Sequence, residues 1–222
     1  MHPLNVGWRY LFLKPGKFTF TLRARTPSGL GFFNASYLGT PPWDIGRPQR
    51  EFVRLAESGE VKGDIIDLGC GTGENAIMLA AKGNRVLGID SAPLAIARAL
   101  QKAEQRRSTA EFKVADALDL QGLGRTFDAA IDCGLFHTFS DAERRTFAAT
   151  LRVALRPGGR YHMLCFSDEE PADWGGPRRV TKEEIIKTFK GWRIDSIARA
   201  RFDASGLGDG GRAWLASMTR LK

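Results

Sequence analysis

The chain is poor in the residues that build metal centres and disulfide frameworks. It has three cysteines, at positions 70, 133 and 165, and no Cys-x-x-Cys spacing. A disulfide scaffold and a zinc site are therefore excluded, and no metal is expected. No apolar run approaches the length of a membrane span, and the N-terminus lacks the apolar stretch of a secretion signal. A cytoplasmic location is the expectation. No long basic run accompanies the net charge of +8; the cations are scattered in pairs such as Arg106-Arg107, Arg144-Arg145 and Arg178-Arg179. That pattern reads as a basic surface and not as a nucleic-acid stripe. There is no internal repeat and no low-complexity segment. No Gly-Lys-Ser/Thr follows any glycine loop, which rules out a P-loop.

What is present is a soluble globular composition. At 222 residues, with 43% hydrophobic and 26% charged residues, the chain has the size of one well-buried domain. Its most informative stretch is Ile65-Ile66-Asp67-Leu68-Gly69-Cys70-Gly71-Thr72-Gly73. An apolar strand runs through an acid into a loop with glycine at every second position, and a helix follows. Such glycines let the backbone pass close to a ligand and adopt positive φ. A dinucleotide fingerprint needs Gly or Ala where Glu74 stands, and a glutamate at a helix N-terminus would repel a pyrophosphate. An acid at the strand end instead suits a cation or a hydroxyl.

Further acids follow at strand ends. Asn84–Asp90 is a second apolar strand ending in an acid, placed to accept hydrogen bonds from ribose hydroxyls. Ala110–Ala117 is a third, with Asp116 at its end, and Phe127–Gly134 a fourth. Pro157-Gly158-Gly159 reads as a turn into a fifth strand, Arg160–Phe166. Helices are expected over 50–58, 75–82, 93–107, 141–155 and 182–189. Ser91 before Pro93, Ser140-x-x-Glu143 and Thr181-x-x-Glu184 supply their starting signals. Late strands over 192–202 and 213–221 have no helix between them, which predicts an antiparallel edge hairpin. The architecture expected is α/β, a Rossmann-like doubly wound sheet of seven strands, mostly parallel.

In order and spacing these motifs resemble those of the class I S-adenosylmethionine-dependent methyltransferases. Tyr37 to Gln49, with Pro41-Pro42-Trp43-Asp44-Ile45-Gly46-Arg47-Pro48, resembles a segment of their small-molecule branch. That branch includes thiol and halide, tellurite-resistance-type and mycobacterial heterocyclic-toxin methyltransferases. The resemblance implies S-adenosyl-L-methionine as cofactor. It implies that Asp67, Gly69, Cys70, Gly71 and Gly73 hold the methionine part, Asp90 and Ser91 the ribose, and Asp116 with Ala117 the adenine. Cys133 would offer backbone to the amino group, Trp43 would lie against the sulfonium, and Arg47 would pair with the carboxylate or with Asp44. Trp43 suits a sulfonium because an aromatic face attracts a desolvated cation by up to about 2 kcal/mol.

The acceptor is expected beside the fourth strand, at Asp132-Cys133-Gly134-Leu135-Phe136-His137-Thr138-Phe139. The Asn/Asp-Pro-Pro-Tyr/Phe run of enzymes that methylate nucleic-acid bases is missing, so a small-molecule acceptor is expected and nucleic acid is not. His137 is the candidate catalytic base, and Tyr37, Trp43, Phe136, Phe139, Phe166 and Trp174 the candidate pocket aromatics. In-line positioning supplies roughly 7–11 kcal/mol, against about 10²–10⁴-fold for a base. A soft thiol therefore needs no base, whereas an oxygen acceptor gains from one. The rival readings are an RNA or protein methyltransferase, and a cofactor-binding module that transfers nothing.

Residues 37–222 are read as the methyltransferase domain and 1–36 as an N-terminal extension. In the extension Phe18, Phe20, Leu22 and Ala24 alternate with polar residues, and Lys14-Pro15-Gly16-Lys17 reads as a turn. A hairpin is expected there, either as an ordinary extension packed on the core or as a lid, a dimer arm or a membrane-surface contact.

Overall fold

A computed structural model describes residues 28–222, apart from Ala172 and Trp174. The expected N-terminal hairpin and the pocket role of Trp174 lie outside the described residues. Seven strands form one sheet: β1 (Asp64–Leu68), β2 (Arg85–Asp90), β3 (Glu111–Val114), β4 (Phe127–Cys133), β5 (Leu155–Phe166), β6 (Trp192–Phe202) and β7 (Gly211–Arg220). Their order is β3-β2-β1-β4-β5-β7-β6. The pairs from β3 to β5 are parallel, and β7 runs antiparallel to both β5 and β6. The expected Rossmann-like sheet with an antiparallel edge hairpin is what forms.

Alternation along the strands divides the core between two faces. Ile65, Val86, Ile131 and Leu164 pack with Phe52 and Leu55 of α2 (Arg50–Glu57) and Ile77 and Leu79 of α3 (Glu74–Ala81). Ile66, Leu87 and Ala130 pack on the other face with Phe147 and Leu151 of α5 (Asp141–Ala154) and Ile185 of α6 (Lys182–Thr188). Both expected capping boxes are present, Ser140 with Glu143 and Thr181 with Glu184. The helix α4 (Pro93–Gln105) differs: its cap position is Ala92, and Asp90 Oδ1 accepts the Ala92 N–H at 2.8 Å in place of a Ser91 cap.

Two elements depart from the sequence reading. The helix α1 (Ser28–Ser36) falls where no helix is expected. Its Asn34 Oδ1 accepts the Leu94 N–H at 2.9 Å, and Phe33 packs beside Tyr37, Ala92 and Ala95. Tertiary packing makes this helix, because Gly29, Gly31 and Asn34 give it little intrinsic propensity. Pro157-Gly158-Gly159 lies inside β5, as an irregularity opposite Phe127 and Ala129 with Gly158 at φ 82°, instead of a turn ahead of it.

The sheet changes winding direction between β1 and β4, where open α/β sheets bind their ligands. Close packing shapes the loop after β1 at that point. The Phe112 ring is seated on two glycines: a Cβ at Gly73 would stand 2.6 Å from its Cζ, and one at Gly88 2.7 Å from its Cδ1. Gly88 has no positive φ, so its requirement is one of space alone. Gly88→Ala is expected to cost about 1–3 kcal/mol in denaturant unfolding, as overpacking does. Adding Phe112→Leu should recover part of that loss, and purely additive effects would show that the ring is not the cause.

Candidate active site

The loop Gly69 to Gly73 is built to bring backbone, and not side chains, to the crevice. Gly69, Gly71 and Gly73 have φ of 66°, 55° and 85°. A Cβ at Gly69 would meet Leu135 at 3.1 Å, and one at Gly71 would meet the Tyr37 hydroxyl at 2.9 Å. At the end of β1, Asp67 is 1% exposed, and neither carboxylate oxygen has a partner at hydrogen-bond geometry. Burial pushes its pKa up to about 8, with Asp132 and Asp90 adding to the rise and the Ala76 amide opposing it. A buried carboxylate without a counter-charge fits a ligand carrying an ammonium group. The S-adenosylmethionine implied by the sequence carries one on its methionine part, so the residues present fit that cofactor.

Asp90 is already engaged with backbone. Its Oδ2 accepts the Gly71 N–H at 2.9 Å and its Oδ1 that of Ala92, so it ties the glycine loop to the start of α4. Burial raises its pKa, and the Ala92, Gly71 and Ser91 amides restrain the rise. Asp116 is exposed and accepts the Leu118 N–H at 2.9 Å, and Ala117 beside it is buried. Both lie just past β3, on the far side of β2 from the glycine loop. Cys70 and Cys133 have thiols pushed well above the usual range by burial and the nearby carboxylates, so neither is a nucleophile.

Glu74 does not act as the sequence argument assumes. It is buried and its charge is matched twice, by Lys102 at 2.8 Å and by Arg106 at 2.7 Å. Burial raises its pKa, but these two cations outweigh that and leave it lowered. A neutralised pair bridging α3 and α4 repels no pyrophosphate; the unpartnered acid at Asp67 is what disfavours one.

The segment 37–49 is a strap over the cofactor loop. The Trp43 Nε1–H donates to the Tyr37 hydroxyl at 2.9 Å, and the two rings meet edge to face. The Thr72 hydroxyl donates to Asp44 at 2.7 Å and accepts from Lys102 at 2.6 Å. Gln49 donates its N–H to Asn75 at 3.0 Å, and its side-chain amide exchanges two hydrogen bonds with the Asp203 backbone at 2.8 and 2.9 Å. Arg47 pairs with Asp203 at 2.8 Å and not with Asp44. A cavity of about 350 Å³ opens beside this pair, lined by Ile45, Ala204 and Ser205.

At the end of β4, Asp132 is fully buried and satisfied. It accepts the N–H groups of Leu135 and Phe136 at 2.7 and 3.0 Å and the Tyr161 hydroxyl at 2.9 Å. Burial raises its pKa to about 7 against these donors. It turns the chain into a 3-10 helix, Phe136–Thr138, which sorts the following side chains. His137 goes toward the crevice end of β5. Its ring stacks on Phe166 at 5.2 Å and 9°, and its Nδ1 accepts the Phe166 N–H at 3.2 Å.

That geometry does not favour the expected general base. With Nδ1 accepting, the neutral ring carries its hydrogen on Nε2. Burial, then Arg144 and Arg179, push its pKa down to about 3. His137 is a neutral donor. Phe136 and Phe139 are corrected as pocket aromatics. Both are buried in the core, Phe136 between Phe147 and Phe189 and beneath the Arg144 guanidinium, which is 4.5 Å from its ring. Phe166 remains beside His137. The sequence reading missed Phe202, which lies 5.8 Å from His137 and 4.7 Å from Phe166, and also Gln49 and Asp203. Gln49 closes the proline-rich motif, which is a usable signal. Asp203 has none, being brought in from the far end of β6.

A model of the family described as "Methyltransferase domain" matches residues 65–159. The 2-heptyl-1-hydroxyquinolin-4(1H)-one methyltransferase of Mycobacteroides abscessus is 38% identical over 192 residues, 81% of this chain and 85% of its own. "Probable thiol methyltransferase 2" of Arabidopsis thaliana is 28% identical, over 68% of this chain and 67% of its own. A solved structure concerned with conversion of a disulfide bond into a thioacetal group during echinomycin biosynthesis has a TM-score of 0.78 and 36% identity. It covers 86% of this chain and 91% of its own.

Asp67 has to be ionised to hold a cation. Its raised pKa means that this form is lost as pH falls through about 8. Affinity for S-adenosylmethionine, measured by calorimetry, is expected to weaken by up to about tenfold per pH unit between about pH 8 and about pH 6. Asp67→Asn should bind weakly and without that slope; an unchanged slope would assign it to another group.

Proposed function

The chain belongs to the S-adenosylmethionine-dependent methyltransferases, and on that premise we propose that it methylates a small heterocyclic or thiol acceptor that arrives at the site already ionised. When bound, the cofactor supplies a methyl group on a sulfonium, open to in-line displacement by an O, N or S atom. The observation that carries the acceptor reading is His137, a neutral Nε2–H donor packed against Phe166 and Phe202 just past the end of β4. Such a wall receives a flat or apolar acceptor and gives one hydrogen bond to its polar atom. It removes no proton.

The chain's own residues divide the remaining work. Asp67 holds the ammonium group, and the backbone of Gly69, Cys70, Gly71 and Gly73 lies along the methionine part. Asp90 and Ser91 take the ribose hydroxyls, Asp116 and Ala117 the adenine, and Cys133 offers backbone beside Asp67. Tyr37 and Trp43 in the strap exclude water above the loop, and Trp43 supplies an aromatic face toward the sulfonium. Arg47, held by Asp203, stands at the rim, where an acceptor's carbonyl or anionic group would pass.

Without a base in the crevice, acceptor acidity sets the reaction. A thiol or an N-hydroxy heterocycle ionises near neutral pH, whereas a simple phenol, near 10, does not. The similarity to a hydroxyquinolone methyltransferase over most of the chain supports the heterocycle, and the echinomycin-related structure supports sulfur. The absence of an Asn/Asp-Pro-Pro-Tyr/Phe run supports a small molecule over nucleic acid.

A panel of thiols, phenols, hydroxyquinolones and halides with labelled cofactor tests this. Transfer to the N-hydroxy heterocycle or thiol members is expected to exceed that to simple phenols, and the reverse ranking would require a base. The pH-rate inflection should move with the acceptor's own pKa and show no step near 6.5. His137→Ala should lower kcat about tenfold or more through the lost donor while leaving that inflection in place. A step near 6.5 that vanishes in His137→Ala would restore the base.

A further inference from the structure

The cavity of about 350 Å³ beside the acceptor wall has no part in methyl transfer itself. It is bounded by Ile45 and Arg47 of the strap and by the loop that follows β6. Asp203, which lines it, directly follows Phe202, whose ring lies 5.8 Å from that of His137. Consecutive Cα atoms are about 3.8 Å apart, so the cavity begins one residue's length from the wall. Both of its sides are pinned. Gln49 exchanges hydrogen bonds with the Asp203 backbone, and the Ser205 N–H donates to the Pro42 carbonyl.

Arg47 brings positive charge to this cavity, and Asp203 sets its orientation. Asp203 is buried; its Oδ2 accepts from Arg47 Nη1 at 2.8 Å, and its Oδ1 pairs with Arg50 at 2.5 Å. Burial raises the Asp203 pKa, but Arg50 and Arg47 outweigh that and leave it lowered. The same Nη1 donates to the Pro48 carbonyl at 3.3 Å. Among the described residues nothing accepts from Arg47 Nε or Nη2. One straight edge carrying two parallel N–H groups is therefore left for a ligand. The Ser205 hydroxyl on the opposite wall is likewise without a partner among the described residues. Nothing stands within 4 Å of where a Cβ would lie at Gly206 or Gly208, so the loop leaves room there.

We infer that this cavity is a subsite for a carboxylate carried by the acceptor, held by the Nε–Nη2 edge of Arg47. The inference rests on the reading that the acceptor's reacting atom meets His137. A carboxylate matches a guanidinium edge through two parallel charge-assisted hydrogen bonds. Asp203 and Asp209 offset Arg47 and Arg50, so the cluster has no surplus charge for a phosphate dianion. Ile45 and Ala204 give an apolar wall to the part of the acceptor that carries the carboxylate. Arg47 is already oriented, so little freedom is lost when the carboxylate binds. Acceptors with a carboxylate set back from the thiol or ring hydroxyl are thereby selected over those without one.

The test is calorimetric binding of benzoate and benzamide to the full chain loaded with S-adenosylhomocysteine. No methyl group moves, so this readout is scored separately from the acceptor reading, which the transfer panel decides. Benzoate is expected to bind at least tenfold more tightly than benzamide, since two charge-assisted bonds replace neutral ones. Arg47→Gln should remove that preference. Arg47→Lys keeps the charge without the two-pronged edge and should retain only part of it. Ala204→Leu fills the cavity without touching an ion pair and should weaken benzoate about tenfold, whatever Arg47→Gln does to the strap. In transfer, 3-mercaptobenzoate should show a KM at least tenfold below that of thiophenol, and Arg47→Gln should erase the difference. Equal binding of benzoate and benzamide, or a benzoate preference that survives both Arg47→Gln and Ala204→Leu, would overturn the proposal. So would weakened S-adenosylmethionine binding in Arg47→Gln with benzoate unaffected, which would give Arg47 to the cofactor's own carboxylate.

Discussion

Two carboxylates are buried at the carboxyl ends of neighbouring strands, and the site depends on the difference between them. Asp132 on β4 has three donors, two from the following turn and one from Tyr161. Asp67 on β1 has none at hydrogen-bond geometry. The strands are paired in register, Leu68 with Asp132, so each charge raises the cost of ionising the other. Asp132 spends its acceptors on local structure and thereby fixes the chain that carries His137. Asp67 is left with an unmet demand for positive charge, which a bound ammonium group satisfies. In the proposed function one acid shapes the acceptor side and the other recruits the donor.

The strap from Tyr37 to Gln49 links those two sides. It is held by Thr72 and Asn75 near the cofactor loop and by Asp203 and Ser205 beyond β6, where the Ser205 N–H donates to the Pro42 carbonyl at 2.8 Å. Three prolines, Pro41, Pro42 and Pro48, restrict its path and lower the entropy lost in fixing it. Phe202, just before Asp203, packs on Gly134 and beside His137. A shift at the strap therefore reaches both the glycine loop and His137 through contiguous contacts.

Much of the fold was legible because its signals are local. Strand runs ending in acids, two capping boxes and a late pair of strands without a helix lead to the sheet order found. The helix α1 escaped because its residues have weak propensity and its stability comes from Leu94 and Ala95, some sixty positions away. At the site, the acid positions and the glycine loop could be read from spacing. The roles of His137, Phe136 and Phe139 could not. One 3-10 turn sends His137 toward Phe166 and sends the two phenylalanines into the core, and spacing alone does not reveal that turn.

By itself the sequence determined the methyl donor, because a glycine loop and strand-end acids act through backbone geometry and charge that are fixed within a few residues. Tertiary structure decided what His137 can do. Its protonation and tautomer are set by burial and by a hydrogen bond from Phe166, which lies at the end of β5. It likewise decided that Glu74 is neutralised by Lys102 and Arg106 and that Arg47 answers to Asp203. Those are properties of pairs distant in the chain, and only folding brings their charges within reach.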